Sequence, residues 1–299
     1  MAADGAGAAA PIVGTTPDQI AEARDRRRHL LLLAPPAILL VFIFVYPVLG
    51  LLGQSVYKDG ITLRFYQRLF AEPVYLDVLW LTFRTAATVT LLCLVLGYPL
   101  AYVLVGLPAR LQRLLLIVVV LPFFVSLIVR TYAWMVLLGR LGLVNELLRK
   151  LSLIAEPLPL LYSTTGALIG MTYALLPFMV LTAFSVMKGI DGGLVRAAHS
   201  LGAGRWQAFR KIFLPLSMPG IAGGMILVFI MSLGFFITPR LMGGPSDLMI
   251  AMLIEHEVEL TLNWPFASAL AAVLLLVTLV GFFAYSRLVR LERMFEGTR

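Results

Sequence analysis

Charge is what this 299-residue chain has least of. Asp, Glu, Lys and Arg together make up 13% of it, against 60% apolar residues, where a soluble domain holds about 45–50%. So few charges cannot cover the apolar surface of a water-soluble protein of this size. The chain is expected to be an integral membrane protein, and its mean hydropathy of +0.94 agrees. Cysteine is nearly absent, and the single Cys93 excludes a disulfide scaffold. The three histidines, His29, His199 and His256, lie far apart without metal-ligand spacing. Of the four lysines, Lys58, Lys150, Lys188 and Lys211, none follows a glycine, so the phosphate-reaching lysine of a Walker A loop is missing. His256-Glu257 completes no zinc-protease motif, because Leu260 stands where a second histidine belongs. There is no glycine-flanked serine elbow, and no Asp/Glu pair inside an apolar run to relay protons. An enzyme and a proton-driven carrier both lose their machinery. No cofactor is expected, and uphill transport must draw its energy from another subunit.

What is present is apolar length. Residues 29–57, 85–109, 157–187, 212–239 and 260–286 carry no charge, and a sixth run, 114–129, extends past Arg130 through 131–139. About 20 helical residues cross a hydrocarbon core, and no run shows the period of two of a membrane barrel. The pattern predicts an all-α membrane protein with six transmembrane helices, at 30–53, 78–105, 114–138, 166–186, 220–238 and 264–286. The first run is too long for a cleaved signal core.

The net charge of +8 would suit nucleic acid, but the basic residues flank apolar runs. Their partner is membrane lipid, and no nucleic acid is expected. Lys and Arg number 15 in the two tails and the loops at 106–113 and 187–219, against seven in the opposite loops. The positive-inside rule then places both termini in the cytoplasm. The chain divides into a basic tail at 1–29, a first helix and outer loop at 30–77, a transmembrane domain at 78–286 and a C-terminal tail at 287–299. Residues 1–23 are expected to be disordered, with Arg24, Arg26, Arg27 and Arg28 on the inner leaflet.

The loop at 187–219 is the longest on the cytoplasmic side. Asp191 is placed to cap a helix, and Leu194, Ala197, Ala198 and Leu201 then fall on one helix face. Gly202 ends that helix. A second short one begins near Arg205, with Trp206, Phe209 and Phe213 apolar, and Pro215 and Pro219 are expected to stop it before the fifth span. His199 and Ser200 are expected to face water. Periodicity alone leaves two readings of the first helix: a segment lying on lipid, or a surface that docks another protein.

Arg196-Ala197-Ala198-His199-Ser200-Leu201-Gly202, nine residues, then Ile212-Phe213-Leu214-Pro215 resembles the EAA loop of binding-protein-dependent ABC importer permeases. That pattern is Glu-Ala-Ala, three residues, Gly, nine residues, Ile-x-Leu-Pro. Every interval matches, and Arg196 stands in place of the glutamate. Leu33-Ala34-Pro35, Gly97-Tyr98-Pro99, Arg130-Thr131-Tyr132-Ala133-Trp134, Leu176-Pro177-Phe178 and Asn263-Trp264-Pro265-Phe266 resemble the spermidine/putrescine permeases of the first-subunit type. The resemblance implies a type I ABC importer transmembrane domain in a bacterial inner (plasma) membrane. It implies an ATPase-coupling loop made of Arg196, Ala197, Ala198, Leu201, Gly202, Ile212, Leu214 and Pro215. The implied partners are two copies of an ABC ATPase, which bind the ATP, a second permease in a heterodimer, and a periplasmic solute-binding protein. Arg196 then meets an acidic group on the ATPase, or water. The implied substrate is a polyamine or a similar small amine or amino-acid-like solute. An ATP-independent channel or membrane scaffold is the alternative reading.

Candidate pathway residues are Arg130, Tyr132, Trp134, Tyr173 and Thr238. An arginine in a span is costly and asks for a reason. Arg130 either anchors packing or faces the pathway, with Trp134 one turn on for a cation–π contact, and Arg84 is within reach of the headgroups. Aromatic faces such as Tyr98, Tyr132, Trp134 and Tyr173 suit a cation. Pro47, Pro99, Pro122 and Pro177 kink their spans, as hinges or as tolerated breaks. Gly220 and Gly224 form a GxxxG pair for close packing. Thr238-Pro239 ends the fifth span at a vestibule or a plain loop. The acids beyond it, Asp247, Glu255, Glu257 and Glu259, are expected to face water, or to draw in a cation.

Overall fold

The structure, a computed structural model, describes residues 35–36, 38–57 and 60–296, with side chains to Phe283. The expected N-terminal tail, with its arginine cluster, lies outside the described residues, as do the side chains of the C-terminal tail. The described chain is helical, and its only bridge is the isolated Tyr57–Ile61 pair.

The helices are α1 (Ile38–Gln54), α2 (Arg64–Ala71), α3 (Pro73–Gly106), α4 (Ala109–Val120), α5 (Leu127–Leu138), α6 (Leu143–Lys150), α7 (Thr164–Lys188), α8 (Gly192–Ser200), α9 (Arg205–Leu233), α10 (Ile237–Met242), α11 (Ile250–Glu259) and α12 (Trp264–Glu296). Among the described residues five stretches are long and apolar enough to cross a membrane: α3, α5 with α6, α7, α9, and α12 as far as Phe283. Helix α1 is a shorter apolar helix and, as far as Gly53, a unit of its own. The six expected spans thus each find a helix, with three differences of detail.

The second span begins at Pro73, because proline is tolerated at a helix start where its missing N–H costs nothing. The third is not one helix over 114–138. Pro122 sits at the start of a 3-10 turn, Leu121–Phe124, and Val125 is extended, so α4 and α5 are separate pieces. The fifth does not begin at 220. It runs unbroken from Arg205, and neither Pro215 nor Pro219 stops it. The turn before Pro215 widens instead into a π segment, Phe209–Phe213. An extra residue in the turn accommodates a ring that clashes with the carbonyl four residues back. The same device precedes Pro47, where Val41–Val45 is π and α-helix resumes at Tyr46.

Helices α3, α7 and α9 pack against one another as the core of the unit that starts at Gln54. The GxxxG pair makes this possible. A Cβ on Gly220 would lie 2.7 Å from Val186 Cβ, and one on Gly224 2.7 Å from Met179 Sδ. Without side chains there, α9 seats directly on α7, as small residues permit in membranes. Val89, Cys93, Met171, Leu175, Met179, Val228 and Met249 fill the middle of this core. Ala101, Leu104, Val180, Ala183 and Met187 fill the end toward the 187–219 loop.

A second cluster at the opposite end joins α2, α3, α11 and α12 through Leu69, Tyr75, Ile250, Leu253, Phe266 and Leu270. Arg68 covers it, 4.7 Å from the ring centre of Phe266 and hydrogen-bonded to Glu72 at 3.2 Å. Burial opposes the charge of Arg68, yet the Glu72 hydrogen bond and the fields of Tyr75, Glu72 and Glu257 outweigh it and hold the group above its ordinary value.

Between α9 and α12 the chain turns back into the bundle. Helix α9 ends at Leu233, so Thr238 and Pro239 do not end that span but lie buried in α10. Met249 reaches the central cluster, and the N–H of Ile250 donates to Thr82 Oγ1 at 2.9 Å. This re-entry explains why three of the four acids do not simply face water, while Glu259 is exposed as expected. Asp247 and Glu257 are buried, and Glu255 pairs with Arg240.

Candidate functional site

Helix α8 carries the motif residues, and its ends are set by local chemistry. Asp191 Oδ1 accepts from the N–H of Gly193 at 2.8 Å, the expected N-cap. At the other end Gly202 N–H donates to His199 O at 3.0 Å and Ala203 N–H to Ala198 O at 2.9 Å, closing a Schellman turn. That turn requires the φ of +87° found at Gly202, a region a side chain avoids. His199 and Ser200 do more than face water. His199 Nδ1 bonds to the carbonyl of Ala203 at 2.8 Å, and the Ser200 hydroxyl donates to Arg196 O at 3.2 Å.

The helix turns Leu194, Ala197 and Leu201 outward. With Ala198, Gly202, Ala203, Gln207 and Ile212 they line an open groove of about 430 Å³. Leu201 is 89% exposed. Apolar side chains massed around a concavity mark an interaction surface rather than a lone exposed leucine. Arg196 is exposed on the same helix and forms no ion pair among the described residues. Leu214 and Pro215 resume the α-helix of α9 after the π segment, just beyond the groove.

The groove is wired to the bundle through rings. Ile212 lines it from the π segment, whose Phe209 and Phe213 turn to α3, with ring centres 5.4 and 5.1 Å from that of Tyr102. Tyr98 reaches Phe209 at 6.5 Å and Ser217 Oγ at 3.3 Å. Helix α9 itself is one rod of 29 residues, about 43 Å at 1.5 Å per residue. A polar bolt that the sequence did not disclose lies beside it. Lys188 Nζ donates to Gln112 Oε1 at 2.9 Å, and Gln112 Nε2 donates to Leu104 O at 2.8 Å. The two bonds join α3, α4 and α7 at the groove's end of the bundle.

The candidate pathway residues separate. The Thr131 and Thr238 hydroxyls lie 3.3 Å apart, and Trp134 meets Tyr173 edge-on at 5.3 Å. These contacts join α5 to α10 and to α7. Arg130 lies one turn before Trp134, with Nε and Nη1 buried and without hydrogen-bond partners among the described residues. The expected cation–π contact between them is not formed: Trp134 packs on Tyr173, and the cation–π pairs among the described residues belong to Arg68. Tyr132 is 53% exposed on another face of α5, away from this group. Arg84 lines a cleft of about 300 Å³ with Thr85, Thr88, Thr164, Ser246 and Asp247 and the leucines Leu81 and Leu168, a site that the sequence did not mark.

The family model for the binding-protein-dependent transport system inner membrane component matches residues 93–293. The spermidine/putrescine transport system permease protein PotB of Haemophilus influenzae is 35% identical over 235 residues, 79% of this chain and 82% of that protein. Its Escherichia coli counterpart is 36% identical over 261 residues, 85% of this chain and 94% of that one. The fold is that of a chain of a bacterial alginate ABC transporter, solved in complex with an alginate pentasaccharide-bound periplasmic protein. The TM-score is 0.69 at 22% identity, over 89% of this chain and 96% of that one. Motif, fold and relatives agree, and the chain belongs to the binding-protein-dependent transport system inner membrane components: it is a multi-pass permease subunit of an ABC importer.

Proposed function

We propose that this permease carries a small amine, a polyamine or an amino-acid-like solute, from a periplasmic binding protein to the cytoplasm, driven by ATPases seated on the α8 groove. The observation that carries this reading is the open apolar groove on the EAA-like loop, with Leu201 89% exposed. The ATP site belongs to the partner, since no lysine here follows a glycine. Two ATPases sit beneath a pair of permeases, this chain and a different second one. The loop lies in the cytoplasm with both termini, a placement supported by the excess of 15 basic residues over seven. The amine class is supported by the names of the relatives, which transport spermidine and putrescine.

The mechanism is alternating access. Moving a two-state transporter from 1:99 to 99:1 takes about 5.5 kcal/mol of differential binding. Closure of two ATPases on ATP supplies it, and the groove receives the movement. From Ile212 it passes by Phe209 and Phe213 to Tyr98 and Tyr102 on α3, and along α9 to its far end at Leu233. Arg196 takes an acidic partner on the ATPase or stays in water.

Leu201→Asp tests the reading. It puts an unpaired charge into the groove, and ATP-driven uptake by the reconstituted complex should fall at least tenfold while membrane insertion is unchanged. Uptake at the parental rate would overturn the docking role.

A further inference from the structure

The cleft beside α3 has two poles. One wall is α3, with Arg84, Thr85 and Thr88; the other is the turn before α11, with Ser246 and Asp247, and Thr164 from the start of α7. Asp247 is only 6% exposed. Its Oδ1 accepts from Thr164 Oγ1 at 2.6 Å and its Oδ2 from the Gly244 N–H at 2.7 Å. A carboxylate offers about four acceptor sites, so half of its capacity remains for a solute. Neither Arg84 nor Asp247 forms an ion pair among the described residues. The cleft therefore holds a guanidinium and a carboxylate that do not neutralise each other.

Position adds weight. Arg84 is the twelfth residue of α3, about 16 Å along a helix of some 50 Å by the usual rise. An arginine in a span asks for a reason; Arg84 is exposed, and the hydroxyl-bearing Thr85, Thr88, Thr164 and Ser246 line the cleft it borders. The other arginine of the spans, Arg130, differs: its Nε and Nη1 are buried and find no acceptor among the described residues. A solute bearing only ammonium groups gains from Asp247 and is repelled by Arg84. One with an ammonium at one end and a carboxylate at the other satisfies both poles, and a charge-assisted hydrogen bond is the stronger kind. About 300 Å³ is at the small end of ligand pockets, which run from about 300 to 1,000 Å³. It suits a solute of a few carbons.

We infer that this cleft is a passage site for small amino carboxylates, with Asp247 receiving the ammonium and Arg84 the carboxylate. The inference rests on the importer reading above and narrows its substrate class.

Putrescine and 4-aminobutyrate are matched probes: each has a four-carbon chain, and they differ in one end group. The full complex, with its ATPase and binding protein, is reconstituted in proteoliposomes and given each probe in labelled form. The parent should accumulate 4-aminobutyrate faster than putrescine. Arg84→Gln should lower 4-aminobutyrate uptake about tenfold or more and raise putrescine uptake, while Arg84→Lys keeps most of the parental preference. The binding protein is the same throughout, so a change in the ratio reads the permease alone, and a melting curve for each variant confirms folding. Three results overturn the assignment: a parent that prefers putrescine, an Arg84→Gln variant that slows both probes alike, or uptake of neither probe by a complex whose ATPase responds to its binding protein. An ATPase that ignores the binding protein would instead sink the importer reading.

Discussion

Lys188 and Gln112 meet at 2.9 Å across 76 residues of chain. Lys188 ends α7, Gln112 lies in the first turn of α4, and the amide nitrogen of Gln112 is spent on the carbonyl of Leu104 at the end of α3. Gln112 is buried. Replacing it with leucine leaves the Leu104 carbonyl and the lysine ammonium without this partner. A buried group left unsatisfied costs about 1–3 kcal/mol, so the purified permease should melt several degrees lower. Gln112→Glu keeps an acceptor for Lys188 and should lose less. Equal melting of parent and Gln112→Leu would show that the bolt carries no load.

Gly202→Val puts a β-branched side chain at a φ of +87°, a left-handed region that costs an ordinary residue about 1–2 kcal/mol and a branched one more. The Schellman turn should open and the groove floor shift, while the spans stay folded. Recovery of the ATPase with the tagged permease should drop several-fold. Gly202→Asn, which tolerates that region, should retain most of it. Undiminished recovery from both variants would separate the turn from docking.

Pro215→Ala restores the missing N–H and removes the ring clash that the π segment Phe209–Phe213 accommodates. The turn should then close to 3.6 residues, rotating Ile212 and Trp206 by about 100°, one residue's worth. Helix content should be unchanged and ATP-driven uptake strongly reduced. Cysteines at Tyr102 and Phe213, whose rings lie 5.1 Å apart, would report the rotation: a short bifunctional thiol reagent should join them in the parent and not in the variant.

Local chemistry makes α8 legible in the sequence. Asp191, the Leu194–Leu201 stripe and Gly202 each act within one or two turns, where spacing alone decides the outcome. The spans were legible because a charge-free run has no other use. What hydropathy could not see is how a helix absorbs a proline. Pro122 and Pro215 look alike in an apolar run, yet one begins a new piece and the other rides on a widened turn. Asp247 and Glu257 read as surface acids because their burial comes from the chain turning back into the bundle, which apolar content does not report. Gln112 and Arg84 gained their roles from residues 76 and about 163 positions away; no spacing rule reaches so far.

The hydrogen bond from Ile250 N–H to Thr82 Oγ1 also bears on how the protein is made. Thr82 gives its own proton to Val78 O at 2.7 Å and so offers a lone pair deep in the bundle. In lipid, an exposed peptide N–H has no such acceptor, and the stretch from Gly243 to Ile250 is too short and irregular to enter the bilayer by itself. Its place exists only once α3 and α7 stand side by side. During synthesis the helices inserted first therefore build the receptor for a segment that emerges some 170 residues after Thr82, and that same segment brings Asp247 to the cleft beside α3.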